Sequence, residues 1–463
     1  EGLVSEVFNN QKISQLKGIY SIGHVRYATA GGGGMSNVQP LWFKTMTGSM
    51  GIVHNGNIIN ATLDSVPTSE EYQLIYVVND ISNSDKVEVK NDLYNMTLQD
   101  DGKINVAVKS GEELLADTPA SLQEANTISA FVATAGEGTE KGTAIANQIS
   151  TLMQTGHKDA AVKLAEEVAP TTSQTVMGVA QGVNSILNNV AVERMAAVGR
   201  NGGDAFVGGA MWVQGLMNHT KQDSTSNAAG FTADTNGISF GIDGKVNENL
   251  MIGIGYGYTN TDADSGARDI DVDGHNFFAY TEYKPNKWYI NGMFNYGFSK
   301  YDEQKVAGLQ AKYDVNTYAA NVMTGYDFDS GITPEVGLRY LLADQDSYND
   351  GAQHVSTDKT DVLTGVVGIK YKADVKAKDW TFTPNLRLAA TYDMVSDNSK
   401  ANVSVIGGGN YQITGDRLER FGVETGVGIE TTYKDWNFSV DYNGGFRKDF
   451  QSHTGMLKAK YNF

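Results

Sequence analysis

Alternation with a period of two runs through most of residues 201–463, and no other feature limits the possible folds so sharply. Trp288, Ile290, Phe294, Tyr296 and Phe298 share one face of a segment, and Asn291, Asn295 and Ser299 share the other. In the same way Trp380, Phe382, Leu386, Leu388 and Tyr392 oppose Thr381, Thr383, Asn385, Arg387 and Thr391. Phe421, Val423, Val427, Ile429 and Tyr433 oppose Glu424, Glu430 and Thr432, while Trp436, Phe438, Val440 and Tyr442 oppose Asn437, Ser439, Asp441 and Asn443. The final stretch sets Leu457, Ala459, Tyr461 and Phe463 against Lys458, Lys460 and Asn462. Side chains of a strand point alternately to opposite faces, so each segment is a strand with one ring-rich and one polar face.

The pattern predicts twelve strands near 204–219, 235–247, 249–261, 271–283, 287–301, 312–327, 331–343, 358–373, 379–393, 419–433, 436–447 and 453–463. Tight connections at Asn247–Asn249, Lys284–Lys287, Phe328–Ser330 and Lys434-Asp435 alternate with long polar ones at Gln222–Asp234, Thr261–Ile270, Asp302–Ala311, Asp344–Thr357 and Met394–Leu418. Trp288, Trp380, Trp436 and Phe463 fall at strand ends, where an interfacial girdle needs rings. Short turns on one side, long loops on the other and aromatic girdles together predict a twelve-stranded antiparallel membrane barrel, with rings toward lipid and charges toward the lumen. The expected pore lining comprises Arg339, Arg387, Lys458, Lys460, Glu424 and Glu430, with Glu335, Lys370 and Asp441 beside them as pairing candidates.

Composition agrees with that reading. There are 54 acidic and 36 basic residues, a formal charge of −18, which argues against nucleic acid as a partner. The absence of cysteine excludes a disulfide framework, thiol nucleophiles and cysteine metal sites. Glycine is abundant and proline scarce, 52 against 7, which suits strands in close approach. No apolar run of about 18 residues exists, so no transmembrane helix is expected, but a barrel hides its apolar face in alternation. Asp262, Asp264, Asp269, Asp271 and Asp273 crowd one expected loop, but Tyr280 stands where a calcium loop begun at Asp269 needs glutamate. They read as a solvated acidic loop, and no metal or cofactor is expected.

Ahead of the barrel, Pro170-Thr171-Thr172-Ser173 is a helix-start cluster. Val176, Val179, Ala180, Val183, Ile186, Leu187, Val190 and Ala191 then recur at a period of 3.6, opposite Gln174, Gln181, Asn184, Ser185 and Asn188. About twenty-four residues of helix run roughly 36 Å, long enough to cross the hydrocarbon core. Its amides would be unsatisfied in lipid, so the expected place for residues 171–200 is inside the pore. Residues 64–170 read as a passenger stub. Short strand-like runs flank the Asp100-Asp101-Gly102 turn signal, and helices follow over Ala144–Met153 and Asp159–Val168, with Gly156 as a stop between them. His157 stands alone and reads as a surface residue.

Residues 1–63 have another character. Ser21–Phe43 (SIGHVRYATAGGGGMSNVQPLWF) and Gly51–Thr62 (GIVHNGNIINAT), with the opening EGLVSEVF, resemble the glutamine amidotransferase domain of amidophosphoribosyltransferases. The resemblance gives Arg26 the part of holding the glutamine carboxylate, and Asn55 and Gly56 the part of an oxyanion hole. That family's nucleophile is an N-terminal cysteine, which this chain lacks, and nothing after Thr62 resembles the rest of the enzyme. The segment reads as a truncated fragment without activity, and the opening Glu1 as either the product of signal removal or part of this foreign piece. Gly31–Gly34 reads as a flexible loop, since no Lys-Ser/Thr follows it.

The junction APTTSQTVMGVAQGVNSI, the following NVAVERM, the strand GGAMWVQGL and the closing strand resemble the translocator of type V autotransporters, over about residues 75–463. The resemblance implies a barrel that anchors and exports an N-terminal passenger to the surface of a bacterial outer membrane. It further implies a monomeric barrel in outer-membrane lipid, served by periplasmic chaperones and by an assembly machinery that reads Phe463 and Tyr461. Some members cut themselves at an Asn-Asn pair in the pore helix. Asn188-Asn189 is the corresponding pair, but the sequence after it departs from that subgroup, and plain pore-lining amides are the reading adopted. The rival readings are a glutamine-dependent phosphoribosyl amidotransferase and a porin-like or adhesin-like barrel without export.

Overall fold

A computed structural model describes residues 41–45, 48–52, 71–73, 91–99, 103–134, 138–170, 173–198, 209–224, 230–266, 268–396, 398–415 and 417–463. Twelve antiparallel strands close into a barrel: β1 Ala210–Gln222, β2 Phe231–Asn247, β3 Leu250–Ser265, β4 Arg268–Tyr283, β5 Trp288–Gln304, β6 Gln310–Tyr326, β7 Ile332–Gln345, β8 Thr360–Lys372, β9 Trp380–Ser396, β10 Phe421–Tyr433, β11 Trp436–Arg447 and β12 Phe450–Asn462. Each pairs with the next, and β12 pairs back on β1 from Phe450↔Gln222 to Asn462↔Ala210, so the sheet has no free edge. A closed sheet satisfies its backbone internally, the condition for standing in hydrocarbon.

Two of the expected long loops are in fact strand. The acidic run between Thr261 and Ile270 continues the β3–β4 ladder through Asp264↔Asp269 to a turn at Gly266, whose φ of +64° suits glycine. Similarly, β5 and β6 stay paired to Gln304↔Gln310, leaving only 305–309 as connection. Polarity alone suggests a loop here, yet the period of two never breaks: Ala263, Ile270 and Val272 are buried between exposed aspartates. The two long outer connections, 346–359 and 397–420, carry their own four-stranded sheet of Tyr348–Asn349, Gln353–Thr357, Lys400–Val405 and Asn410–Thr414.

The rings on the outer face form two belts. Trp288, Tyr326, Trp380, Tyr433, Trp436 and Tyr461 crowd the end with the tight turns, where Trp380 stacks on Tyr433 at 4.5 Å and Trp436 meets Tyr461 at 5.0 Å. Farther along the strands, Tyr256 and His275 share a 2.7 Å hydrogen bond, as do Tyr442 and His453. Between the belts the exposed face is apolar: Val213, Ile254, Phe294, Val322, Leu338, Val367, Leu388, Val427 and Leu457. From Trp380 to Tyr392 the strand covers roughly 40 Å, less along the membrane normal because barrel strands tilt. Strands of 16 or 17 residues such as β3–β6 exceed the ~9–11 that a bilayer needs, so they project beyond it as a collar.

Before the barrel, strands Tyr94–Leu98 and Lys103–Val108 pair antiparallel, with Glu71–Gln73 on the other side of the second. Four helices follow: α1 Gly111–Leu114, α2 Leu122–Val132, α3 Glu140–Gln154 and α4 Lys158–Val168. Ser110 and Ser121 open the first two with reciprocal capping boxes to Glu113 and Glu124, and Thr139 caps the third. Gly156, at φ +77°, ends α3. A fifth helix, α5, runs over Ser173–Val198. No helix among the described residues is long and apolar enough to cross a membrane.

Candidate functional site: the helix-filled lumen

Helix α5 lies inside the barrel, touching β1 through β7. Val176, Val179, Ile186 and Leu187 are buried, and so is the amide-bearing Asn184 on the other side. Ile186 and Leu187 pack on Trp212, Leu216, Met251, Phe278, Tyr280, Met293 and Met456, rings and thioethers that point inward. These residues went unread in the sequence, and they correct the expectation that every ring faces lipid. Glycine makes room for them. A Cβ on Gly241 would fall 2.5 Å from the Trp212 ring, one on Gly253 2.3 Å from Tyr280, and one on Gly255 2.4 Å from Phe278. Phe277-Phe278 held the signal, because adjacent rings on a strand cannot share a face. Trp212 Nε1 donates to Tyr280 Oη at 2.9 Å, and Tyr280 Oη donates to Asp243 Oδ2 at 2.7 Å, so the polar ends of these buried rings are satisfied.

The opposite wall is ionic. Arg339 donates from Nη1 and Nη2 to the two oxygens of Glu424 at 2.6 and 3.0 Å, and Arg387 reaches Glu424 at 2.8 Å. Nε of Arg387 also donates to Glu335 at 2.8 Å, and Lys370 pairs with Glu335 at 2.8 Å. Lys370 and Arg387 are direct cross-strand partners, so Glu335 shields two like charges from each other. Arg447 pairs with Asp393, which also accepts from Thr364 Oγ1 at 2.7 Å. Lys458 stands 3.9 Å from Glu430, which accepts from Asn437 Nδ2 at 3.2 Å, and Asn385 donates to Asp441 at 3.4 Å. Lys460 is buried, at 4% exposure. A cavity of about 110 Å³ separates this wall from Gln181, Asn184 and Ser185 of the helix. The chemistry available is electrostatic: the charges of this wall pair with one another, and the polar face of the helix looks onto them across the cavity.

Other residues singled out in the sequence lie apart. Asn188 and Asn189 fall within α5, but their side chains lie outside the described residues, and so do Arg26, Asn55, Gly56 and Gly31–Gly34. Tyr461 faces outward in the belt against Trp436, and Phe463 N donates to Gly209 O at 3.0 Å. His157 is exposed beside Thr155 Oγ1 at 3.0 Å.

A closed barrel with a belted apolar exterior and an internal helix defines an outer-membrane protein. The sequence matches the family described as "Autotransporter beta-domain" over residues 211–443, and the chain belongs to that family. It is 23% identical to outer membrane protein B of Rickettsia prowazekii (strain Madrid E) over 310 residues, which is 60% of this chain and 19% of that protein. The N-terminal segment matches amidophosphoribosyltransferase of Bacillus subtilis (strain 168), 59% identical over 63 residues, 13% of this chain and 13% of the enzyme. The chain thus spans less than a fifth of the length of these curated relatives. Among solved structures, the translocator domain of autotransporter NalP from Neisseria meningitidis aligns over 61% of this chain and 98% of that domain, with a TM-score of 0.48 and 18% identity.

Proposed function

We propose that the barrel anchors and exports a passenger lying upstream of the helix, and that the passenger is displayed on the cell surface. The observation that carries this reading is the course of the chain: it runs from helices among the long loops, through α5 in the lumen, to the barrel wall at β1. A chain that threads the pore from outer mouth to inner end is arranged as an exported segment left in its channel. In this reading the ionic wall of Arg339, Arg387, Glu424, Glu430, Lys458 and Lys460 keeps the lumen wet during passage. It then faces the amides of α5 across the remaining cavity. Phe463 and Tyr461 form the end read by the barrel-assembly machinery, after periplasmic chaperones have delivered the chain.

Residues 1–63 act in this reading as cargo without glutaminase activity, since the sequence contains no cysteine. Asn188 and Asn189 stay uncut, and the passenger remains attached. An epitope placed at residue 64 in the full chain tests the proposal on intact cells. It should be labelled by antibody and removed by added protease. An epitope reached only after the outer membrane is opened refutes export. Ammonia release from glutamine by the purified chain would refute the cargo assignment.

A further inference from the structure

We propose that helices α1–α4, once they lie outside, are a cap that closes the outer mouth of the barrel, locked by a buried ionic latch. The barrel changes character above the membrane. Inside the collar, Phe231, Ala263, Ile270, Val272, Ala311 and Val315 are buried in one continuous apolar core with Ile128, Phe131, Ile145, Ile149 and Leu164 of the helices. The loop sheet joins it through Val355, Val403 and Ile413, and the core continues down to Val176 and Val179 of α5. Such a core excludes water as a soluble protein's does, and it fills the space through which ions would pass.

The latch sits where α4 ends. The last turn of a helix leaves carbonyls without partners and carries partial negative charge. Here Arg268 Nη2 donates to Glu166 O at 2.6 Å, and Gln353 Nε2 donates to Val168 O at 2.8 Å. Both donors come from the barrel and its loops. Arg268 stands 3.9 Å from Glu303, which lies 3.9 Å from Lys305, and Lys305 pairs with Asp350 at 3.1 Å. Asp350 Oδ1 accepts the backbone N–H groups of Ala352 and Gln353 at 3.0 and 2.8 Å. All of these side chains are buried, and Tyr411 Oη donates to Gln353 Oε1 at 2.7 Å. Charges hidden to this degree are held only in a matched set, so the collar and the cap position each other. Other ties reach each outer loop that the cap touches. Thr139 Oγ1 donates to Gly351 O at 2.6 Å, Lys141 Nζ to Gly308 O at 2.5 Å, and Gly409 N to Ala130 O at 2.9 Å.

The proposal requires the long loops to face outward but is independent of export of anything upstream of residue 91. Its test uses the full chain. A Cβ on Gly142 would lie 3.6 Å from that of Ala352, within the span of a disulfide, and the chain has no other cysteine. The Gly142→Cys/Ala352→Cys protein should therefore reach the outer membrane cross-linked, detected by loss of maleimide labelling under non-reducing conditions. In planar bilayers the unmodified chain should be closed. Arg268→Ala with Gln353→Ala should raise open probability at least tenfold, and the disulfide in that background should close the channel again. Phe131→Ala, confined to the cap, should open it too, which keeps the test valid if the latch variant does not assemble. Steady conductance by the unmodified chain, a double cysteine that stays reduced, or equal open probabilities in all variants would overturn the cap. None of these outcomes bears on the surface epitope upstream.

Discussion

The membrane band and the collar are made from the same strands, yet their two faces are exchanged. On β6, Tyr318 and Val322 face outward in the band, and Asn321 faces in. A few residues earlier, Lys312 and Asp314 lie on the outward face, and Tyr313 and Val315 are buried inside. The same exchange occurs on β4, from Phe277 outside and Asn276 inside to Asp269 and Asp271 outside and Ile270 and Val272 inside. Register and backbone are continuous through both regions. The medium outside differs, hydrocarbon in one and water in the other, and so does the filling, a helix between an apolar and an ionic wall in one and an apolar core in the other. The lesson is that alternation states which side chains share a face, whereas the surroundings decide which face is buried.

Four measurements would break or sharpen this comparison. The largest effect is expected from Glu335→Ala, which leaves Lys370 and Arg387 opposed across the ladder without their shared carboxylate. A loss of about 3–5 kcal/mol is expected, read as a lower urea midpoint of the barrel in detergent. An outward charge in the band should rank next. Leu388→Arg is expected to cost about 2–4 kcal/mol in a lipid bilayer, and an unchanged folding free energy there would place Leu388 outside the hydrocarbon. The matching change in the collar, Asp271→Val, should stay within about 0.5 kcal/mol. It even relieves repulsion, because Asp271 stands between Asp262 and Asp302 across the ladders.

The smallest effect concerns the first turn of α1. Hydrogen bonds from the Ser110 backbone and side chain hold Glu113 below its ordinary 4.5. A carboxylate whose folded pKa is depressed contributes stability above its unfolded value and loses it as pH falls through the folded one. Amide exchange at Gly111–Leu115 should therefore accelerate, relative to its ordinary pH trend, as pH drops below that range. Glu113→Gln should abolish the extra acceleration. A capping box that holds equally well once Glu113 is protonated would contradict it.

Much of the barrel is legible in the sequence. A strand's period of two fixes side-chain parity locally, so strand number, the tight turns and the outward rings could be read from Trp288–Phe298 or Trp436–Tyr442. The pairing of Arg339 with Glu424, and of Glu335 with both Lys370 and Arg387, could not, because it depends on which strands become neighbours and at what stagger. Phe278 and Tyr280 were missed for a related reason. They share the parity of Asn276 and Glu282, and only a helix in the lumen gives that side of the strand an apolar region to meet.

The sequence by itself determined an alternating run of strands with a helix before it, since parity and period are properties of the backbone that each residue carries independently of distant ones. Tertiary structure alone decided that the acidic stretch around Asp264–Asp273 is a paired wall and that the helices before the pore fold onto the loops. It also decided that Arg268, Glu303, Lys305 and Asp350 form one buried set. Burial and charge compensation are properties of neighbourhoods, and those neighbours come together only when the chain has closed on itself.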